Sequence, residues 1–176
     1  MTGKEFLNSL AHGQSDIIQL VLDILAETGS GYCLIGDLAV NAYAEPVVSL
    51  GIDIVIAAEN VETASKAAKA RRLKVESFER SVNISSPRSD LRIQLQTDPR
   101  YQDFIPRGEL KDVLGYEMRV AKLEDVLQGK VWAYLDRTRR RSKRQKDLAD
   151  ILRIIEAYPQ LAAKLPQSLR KELEKD

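Results

Sequence analysis

The sequence predicts an α+β fold, a sheet domain followed by a C-terminal helical segment. Three observations predict it. Short β-branched runs of strand length alternate with helical patterns up to about residue 121. From Leu123 onward the apolar residues recur only at helical spacing. The 176 residues hold 44% hydrophobic and 30% charged side chains, enough for one core without cross-links. The expected division is an α/β core at 1–121 and a helical segment at 122–176, together one compact unit.

Each element follows in order. Ile17, Ile18, Val21, Ile24 and Leu25 form a helical stripe, with Ser15 and Asp16 placed to cap it and Gly29 and Gly31 to stop it. Tyr32–Ile35 is a short strand; Gly36 and Asp37 break it, and a helix opens at Leu38 and ends at Glu45-Pro46. Residues 51–57, GIDIVIA, make the clearest strand. Asn60 is placed to cap a helix over Val61–Arg71. Strands are expected around Leu73–Phe78 and Ser81–Ile84, with a turn at Ser85–Arg88. Leu91, Ile93 and Leu95 alternate with Arg92, Gln94 and Gln96, as in a half-buried strand. A further short strand is expected at Glu117–Ala121. Leu123, Val126, Leu127, Val131, Tyr134 and Leu135 stripe one long helix. Leu148, Ile151, Leu152 and Ile155 stripe a second, from about Lys143 to Ala157, and Leu161–Asp176 is a short amphipathic or frayed tail.

Composition excludes several chemistries. One cysteine, Cys33, forbids an internal disulfide and a cysteine-based zinc site. One histidine, His12, argues against a Ser-His-Asp or Cys-His mechanism. Carboxylates, lysines and arginines must carry whatever chemistry there is. No apolar run reaches the roughly 20 residues of a membrane helix, and Met1–Leu10 lacks a signal-peptide core. No membrane association and a cytoplasmic location are expected.

Five features could form a site. Gly36, between a strand and a helix, lets backbone N–H groups approach a phosphate, or makes a tight turn. Asp37 beside it would repel a polyphosphate unless a metal intervened. Asp53 is an acid inside an apolar strand: it is paired, metal-bound, or on the solvated face of an edge strand. Lys130 sits within the stripe of its helix and either snorkels out or meets an anion. Asp147, near the start of the last long helix, either complements the helix dipole or borders a site. Residues 137–146 hold seven basic side chains, Arg137, Arg139, Arg140, Arg141, Lys143, Arg144 and Lys146, and no acid. The formal net charge of +1 is therefore a cancellation, since the remainder carries 20 basic against 26 acidic residues. That segment suits a phosphate-rich partner, or is a solvated turn between helices.

In their order along the chain, YCLIGDLAVNAYAEPVVSLGIDIVIA and KVWAYLDRTRRRSKRQKDLADIL resemble the nucleotidyltransferase superfamily. The resemblance is to small bacterial proteins related to abortive-infection and minimal nucleotidyltransferase toxins, and it spreads over Gly31–Ile155. It implies a mixed, twisted sheet flanked by helices, with a cleft between sheet and C-terminal helices. It also implies a Gly-Gly or Gly-Ser pair, two acids one residue apart, and a third acid on a later strand. Those acids hold two Mg²⁺ for nucleotidyl transfer. This chain has Gly36-Asp37 for the pair, Gly51-Ile52-Asp53 for acid-x-acid, and Gln94 where the third acid falls. One acid of three remains. The expectation is a degenerate nucleotidyltransferase with Mg²⁺ bound weakly or not at all. Asp53 and Lys130 take the catalytic positions, with Asp53 as the metal ligand. Gly36, Asp37, Arg144, Lys146 and Asp147 are assigned to phosphate, and Arg137, Arg139, Arg140, Arg141 and Lys143 to nucleic acid. The ligand would be a nucleotide or RNA. The competing expectations are an active metal-dependent enzyme using Asp37, Asp53 and Asp90 on RNA or protein, and a protein-binding module of a toxin–antitoxin-like pair.

Overall fold

The computed structural model describes residues 1–174; the last two residues of the expected tail lie outside them. Seven strands form one mixed sheet: β1 Tyr32–Ile35, β2 Gly51–Ile56, β3 Lys74–Ser77, β4 Ser81–Ser86, β5 Ser89–Gln96, β6 Glu109–Val113 and β7 Tyr116–Val120. Their spatial order is β3-β4-β5-β2-β1-β7-β6. β2 runs antiparallel to β1 and parallel to β5, and β1 runs parallel to β7. β3–β4–β5 and β6–β7 are antiparallel.

The helices are α1 Gly3–Leu10, α2 Ile17–Glu27, α3 Gly36–Val40, α4 Val61–Ala70, α5 Phe104–Arg107, α6 Leu123–Leu135, α7 Arg141–Ala157 and α8 Gln167–Leu173. α2 starts where its capping signal falls: Asp16 Oδ1 accepts from the Gln19 N–H at 3.1 Å. Asn60 stands at the start of α4 but does not cap it. Its side chain instead accepts from the Gly31 N–H at 3.1 Å and ties α4 to the entry of β1.

Alternation decides which face of the sheet is buried. Ile52, Ile54 and Ile56 of β2 and Leu91, Ile93 and Leu95 of β5 are each at most 2% exposed. They face α2 and α4, which pack on each other and reach β5, β3 and β4. On the opposite face α3 and α5 cover the β1–β2 region, and α6 and α7 pair tightly and hold α3. The C-terminal segment thus seats on the same side as the end of β1. Beyond it, the polar face of β2, β5, β4 and β3 stays open.

β2 is an interior strand between β1 and β5, so the edge-strand reading of Asp53 does not hold. α1 and β6 were not expected. α1 carries a capping box, with the Thr2 side chain accepting from the Glu5 N–H and the Glu5 carboxylate accepting from the Thr2 N–H. β6 is an edge strand, Glu-Leu-Lys-Asp-Val, whose charges suit an unpaired edge and hide the strand from a hydrophobicity pattern.

Candidate functional site

The site begins where β1 meets α3. Gly36 has φ +73°, a left-handed conformation that favours glycine. A Cβ there would lie 2.6 Å from Asp53 Oδ2, so glycine is also the residue that lets the turn rest on Asp53. The turn delivers Asp37 to the first position after it, facing α6 and α7.

Lys130 on α6 meets Asp37 from below. It is 4% exposed, and its ammonium contacts Asp37 Oδ1 at 2.5 Å, Asp150 Oδ2 at 2.7 Å and Asp147 Oδ1 at 3.2 Å. Asp147 and Asp150 are buried on α7, three residues apart and therefore on one helix face. Each has a second cation: Arg139 Nε donates to Asp147 Oδ2 at 2.7 Å, and Arg153 Nη1 to Asp150 Oδ1 at 2.5 Å. Lys146 Nζ closes the network on Asp37 Oδ2 at 3.1 Å. Burial by itself would raise the Asp37 carboxyl, but Lys130 and Lys146 outweigh it and hold it well below the usual carboxylate range. Burial would likewise lower Lys130; Asp37 and Asp150 more than offset it, and its ammonium stays charged.

Asp53 stands next to this network without joining it. In the strand register it lies between Ile35 of β1 and Gln94 of β5. Burial pushes its carboxyl up, and Lys130, Arg139 and Lys143 act on it only through space; no hydrogen bond contributes. Gln94 Nε2 turns to Asn83 Oδ1 on β4 at 3.3 Å. Asp53, Gln94, Asn83 and Glu76 therefore form one row across β2, β5, β4 and β3.

That row is the floor of a cleft of about 850 Å³. Its inner wall is Asp37, Arg139, Lys143, Lys146 and Asp147, and its far end includes Lys74, Ser85, Asp90 and Arg92. The basic segment thus splits. Arg139, Lys143 and Lys146 reach the cleft, whereas Arg137, Arg140 and Arg141 are exposed and do not line it. Arg144 is engaged elsewhere: Nε donates to the Tyr134 carbonyl at 2.7 Å and the guanidinium lies over the Tyr134 ring. Asp90 is held by His12 at 3.0 Å. It is four residues from Gln94 along β5, about 13 Å at strand spacing, and so remote from Asp53. Among the described residues no three carboxylate, histidine or cysteine side chains converge as a metal site. Sequence reading missed Arg153; its spacing of three from both Asp150 and Glu156 on α7 was the available signal.

A mixed sheet whose β1 ends in a glycine turn against an acid of β2, roofed by two C-terminal helices, defines a nucleotidyltransferase fold. Solved structures agree. The chain is similar to the antibiotic-resistance factor ANT(2'')-Ia, with a TM-score of 0.59 at 12% identity, covering 89% of both chains. It is similar to the lincosamide antibiotic adenylyltransferase LnuA, with a TM-score of 0.56 at 10% identity, covering 81% of this chain and 98% of that one. A third likeness is to an antigenic nucleotidyltransferase-like protein from Paracoccidioides brasiliensis, with a TM-score of 0.56 at 17% identity, covering 96% and 85%. The chain belongs to the family of the AbiEii nucleotidyl transferase toxin of type IV toxin–antitoxin systems, which matches residues 40–176. β1 and the Gly36-Asp37 turn lie just ahead of the matched part. No curated protein matches the sequence.

Proposed function

We propose that this member of the family has lost two-ion nucleotidyl transfer and keeps its cleft to bind a phosphate-bearing ligand, a nucleotide or RNA. The observation that carries the reading is the donor set around Asp53. Two Mg²⁺ need several carboxylate oxygens in one place. Here the neighbour on β5 is the amide of Gln94, and the position two residues earlier on β2 is Gly51. Both Asp37 oxygens are taken by lysines. The residues present do not fit the two-ion site that the fold family implies, and no step through such ions is derived.

Phosphate binding draws on the cations that remain. Lys143 and Arg92 are exposed, line the cleft and have no ion-pair partner among the described residues. Ser85, Asn83 and Gln94 supply neutral hydrogen-bonding groups between them. The test is incubation with labelled nucleoside triphosphates, Mg²⁺ or Mn²⁺, and total RNA or the protein itself, beside a binding titration with a nucleoside monophosphate and RNA. Binding without incorporation is expected. Incorporation that vanishes in Asp53→Ala would overturn the reading.

A further inference from the structure

Asp37 brings a negative charge into the cationic end of the cleft, and the geometry shows how completely it is used. Each oxygen has its own ammonium, Lys130 on Oδ1 and Lys146 on Oδ2. Lys130 has three N–H donors and three carboxylates around it, Asp37, Asp147 and Asp150. Nothing of it is left for a ligand. Arg139 is pinned on Asp147. Of the charged residues that line the cleft, Asp37, Asp53, Glu76, Asp90 and Asp147 balance Lys74, Arg92, Arg139, Lys143 and Lys146.

Resting on the reading above, we propose that Asp37 is the specificity-determining residue of this cleft. Its carboxylate fills the inner cation pocket from within the chain, so the cleft takes an isolated phosphate, monoester or diester, and rejects a polyphosphate. A single phosphate needs only one unpaired cation, Lys143 on the inner wall or Arg92 at the far end. A polyphosphate concentrates several charges, and part of it must then lie beside Asp37 and Asp53. With no metal donor set to screen them, like charges at such separations repel strongly in a half-dry cleft. Lys146, 52% exposed, is the cation that Asp37 withholds.

The test is calorimetric titration without divalent metal, using AMP, a short single-stranded RNA and tripolyphosphate, on the wild type and on Asp37→Asn. The substitution keeps the shape of the side chain and removes its charge. Lys130 retains Asp147 and Asp150, and thermal melting checks that the fold survives; Asp37→Ser is the second variant. The expected result is that the wild type prefers AMP or RNA. Asp37→Asn then raises tripolyphosphate affinity by about tenfold or more, the scale of one unscreened charge contact, and changes AMP by less than about threefold. Adding Lys146→Ala to Asp37→Asn is expected to cancel the gain. Binding of AMP without RNA identifies free nucleotide as the source of the phosphate, and RNA without AMP identifies the nucleic acid chain. Unchanged tripolyphosphate affinity in both Asp37 variants, with AMP or RNA still bound, overturns the role of Asp37 and leaves the cleft reading standing. No binding of any of the three to any of these proteins overturns the cleft reading and this inference together.

Discussion

Two acids that flank the same glycine turn sit in opposite surroundings. Asp37, immediately after Gly36, is held by two ammonium groups and its carboxyl is pulled down. Asp53, beneath Gly36, accepts no hydrogen bond among the described residues and its carboxyl is pushed up. The first belongs to a network of ion pairs that ties α6 and α7 to the turn after β1. The second belongs to a cleft floor that faces outward with its oxygens unused. Removing one member of such a network leaves a buried charge exposed to its neighbours, whereas a half-buried carboxylate without a hydrogen bond costs stability where it stands. The difference separates a region of paired charges from the floor of the proposed binding cleft within one cluster of charges.

The sharpest way to break the comparison is Lys130→Ala. It would leave Asp37, Asp147 and Asp150 to repel one another, two of them buried. A loss of about 3–5 kcal/mol is expected, the usual cost of removing one partner from a buried ion network, read by urea unfolding. A loss under about 1 kcal/mol, the range of an exposed pair, would show that Lys130 does not clamp the helices.

Next comes Gly36→Ala. It combines a left-handed backbone with a clash on Asp53 Oδ2, so a loss of about 1–3 kcal/mol is expected. Combining it with Asp53→Gly should recover the part due to the clash but not the backbone part. A purely additive pair would place the whole cost in the backbone.

Asp53→Asn should act in the other direction. The folded carboxyl sits above its ordinary value of 3.8. Its contribution to stability is therefore full below 3.8 and is lost as pH rises through the folded value. The variant should gain about 0.5–2 kcal/mol near neutral pH, with the gain shrinking toward pH about 4. Melting curves across that range check it, and a variant less stable at pH about 7 would reverse the assignment.

The smallest stability effect is expected for Arg137, Arg140 and Arg141 replaced together by Ala. All three are exposed, so stability should move by less than about 0.5 kcal/mol. If RNA phosphates pair with them, the slope of log affinity against log salt should flatten by about 0.7 for each phosphate no longer neutralised. Arg139→Ala, by contrast, should cost more, because it uncovers the buried Asp147.

Much of the fold could be read from the chain. The stripe of α2, the alternation of β5 and the apolar run of β2 each announce their element, because burial of one face imposes a period. β3 and β6 give weak signals or none: both are edge strands, β3 with only Val75 apolar and β6 with charge on both faces. The Thr2-x-x-Glu5 box of α1 was a legible start signal, with Phe6, Leu7 and Leu10 at helical spacing behind it. In the site, the replacement of expected acids by Gly51 and Gln94 could be read from letters alone. The fates of the basic segment could not. Arg139 and Arg140 are adjacent and identical in kind, yet one neutralises a buried acid and the other lies in solvent.

The letters alone place most of the elements in order, the single acid of β2 and the concentration of positive charge in residues 137–146. Periodicity and composition are local, and local patterns survive without knowledge of contacts. Which charges meet is set by the packing of distant segments. Lys130 and Asp37 are 93 positions apart, and nothing in their neighbours names the partner. Their pairing exists because α3 and α6 are brought together by the packing of the whole chain, and an ion pair's energy depends on that distance and on the water excluded from it.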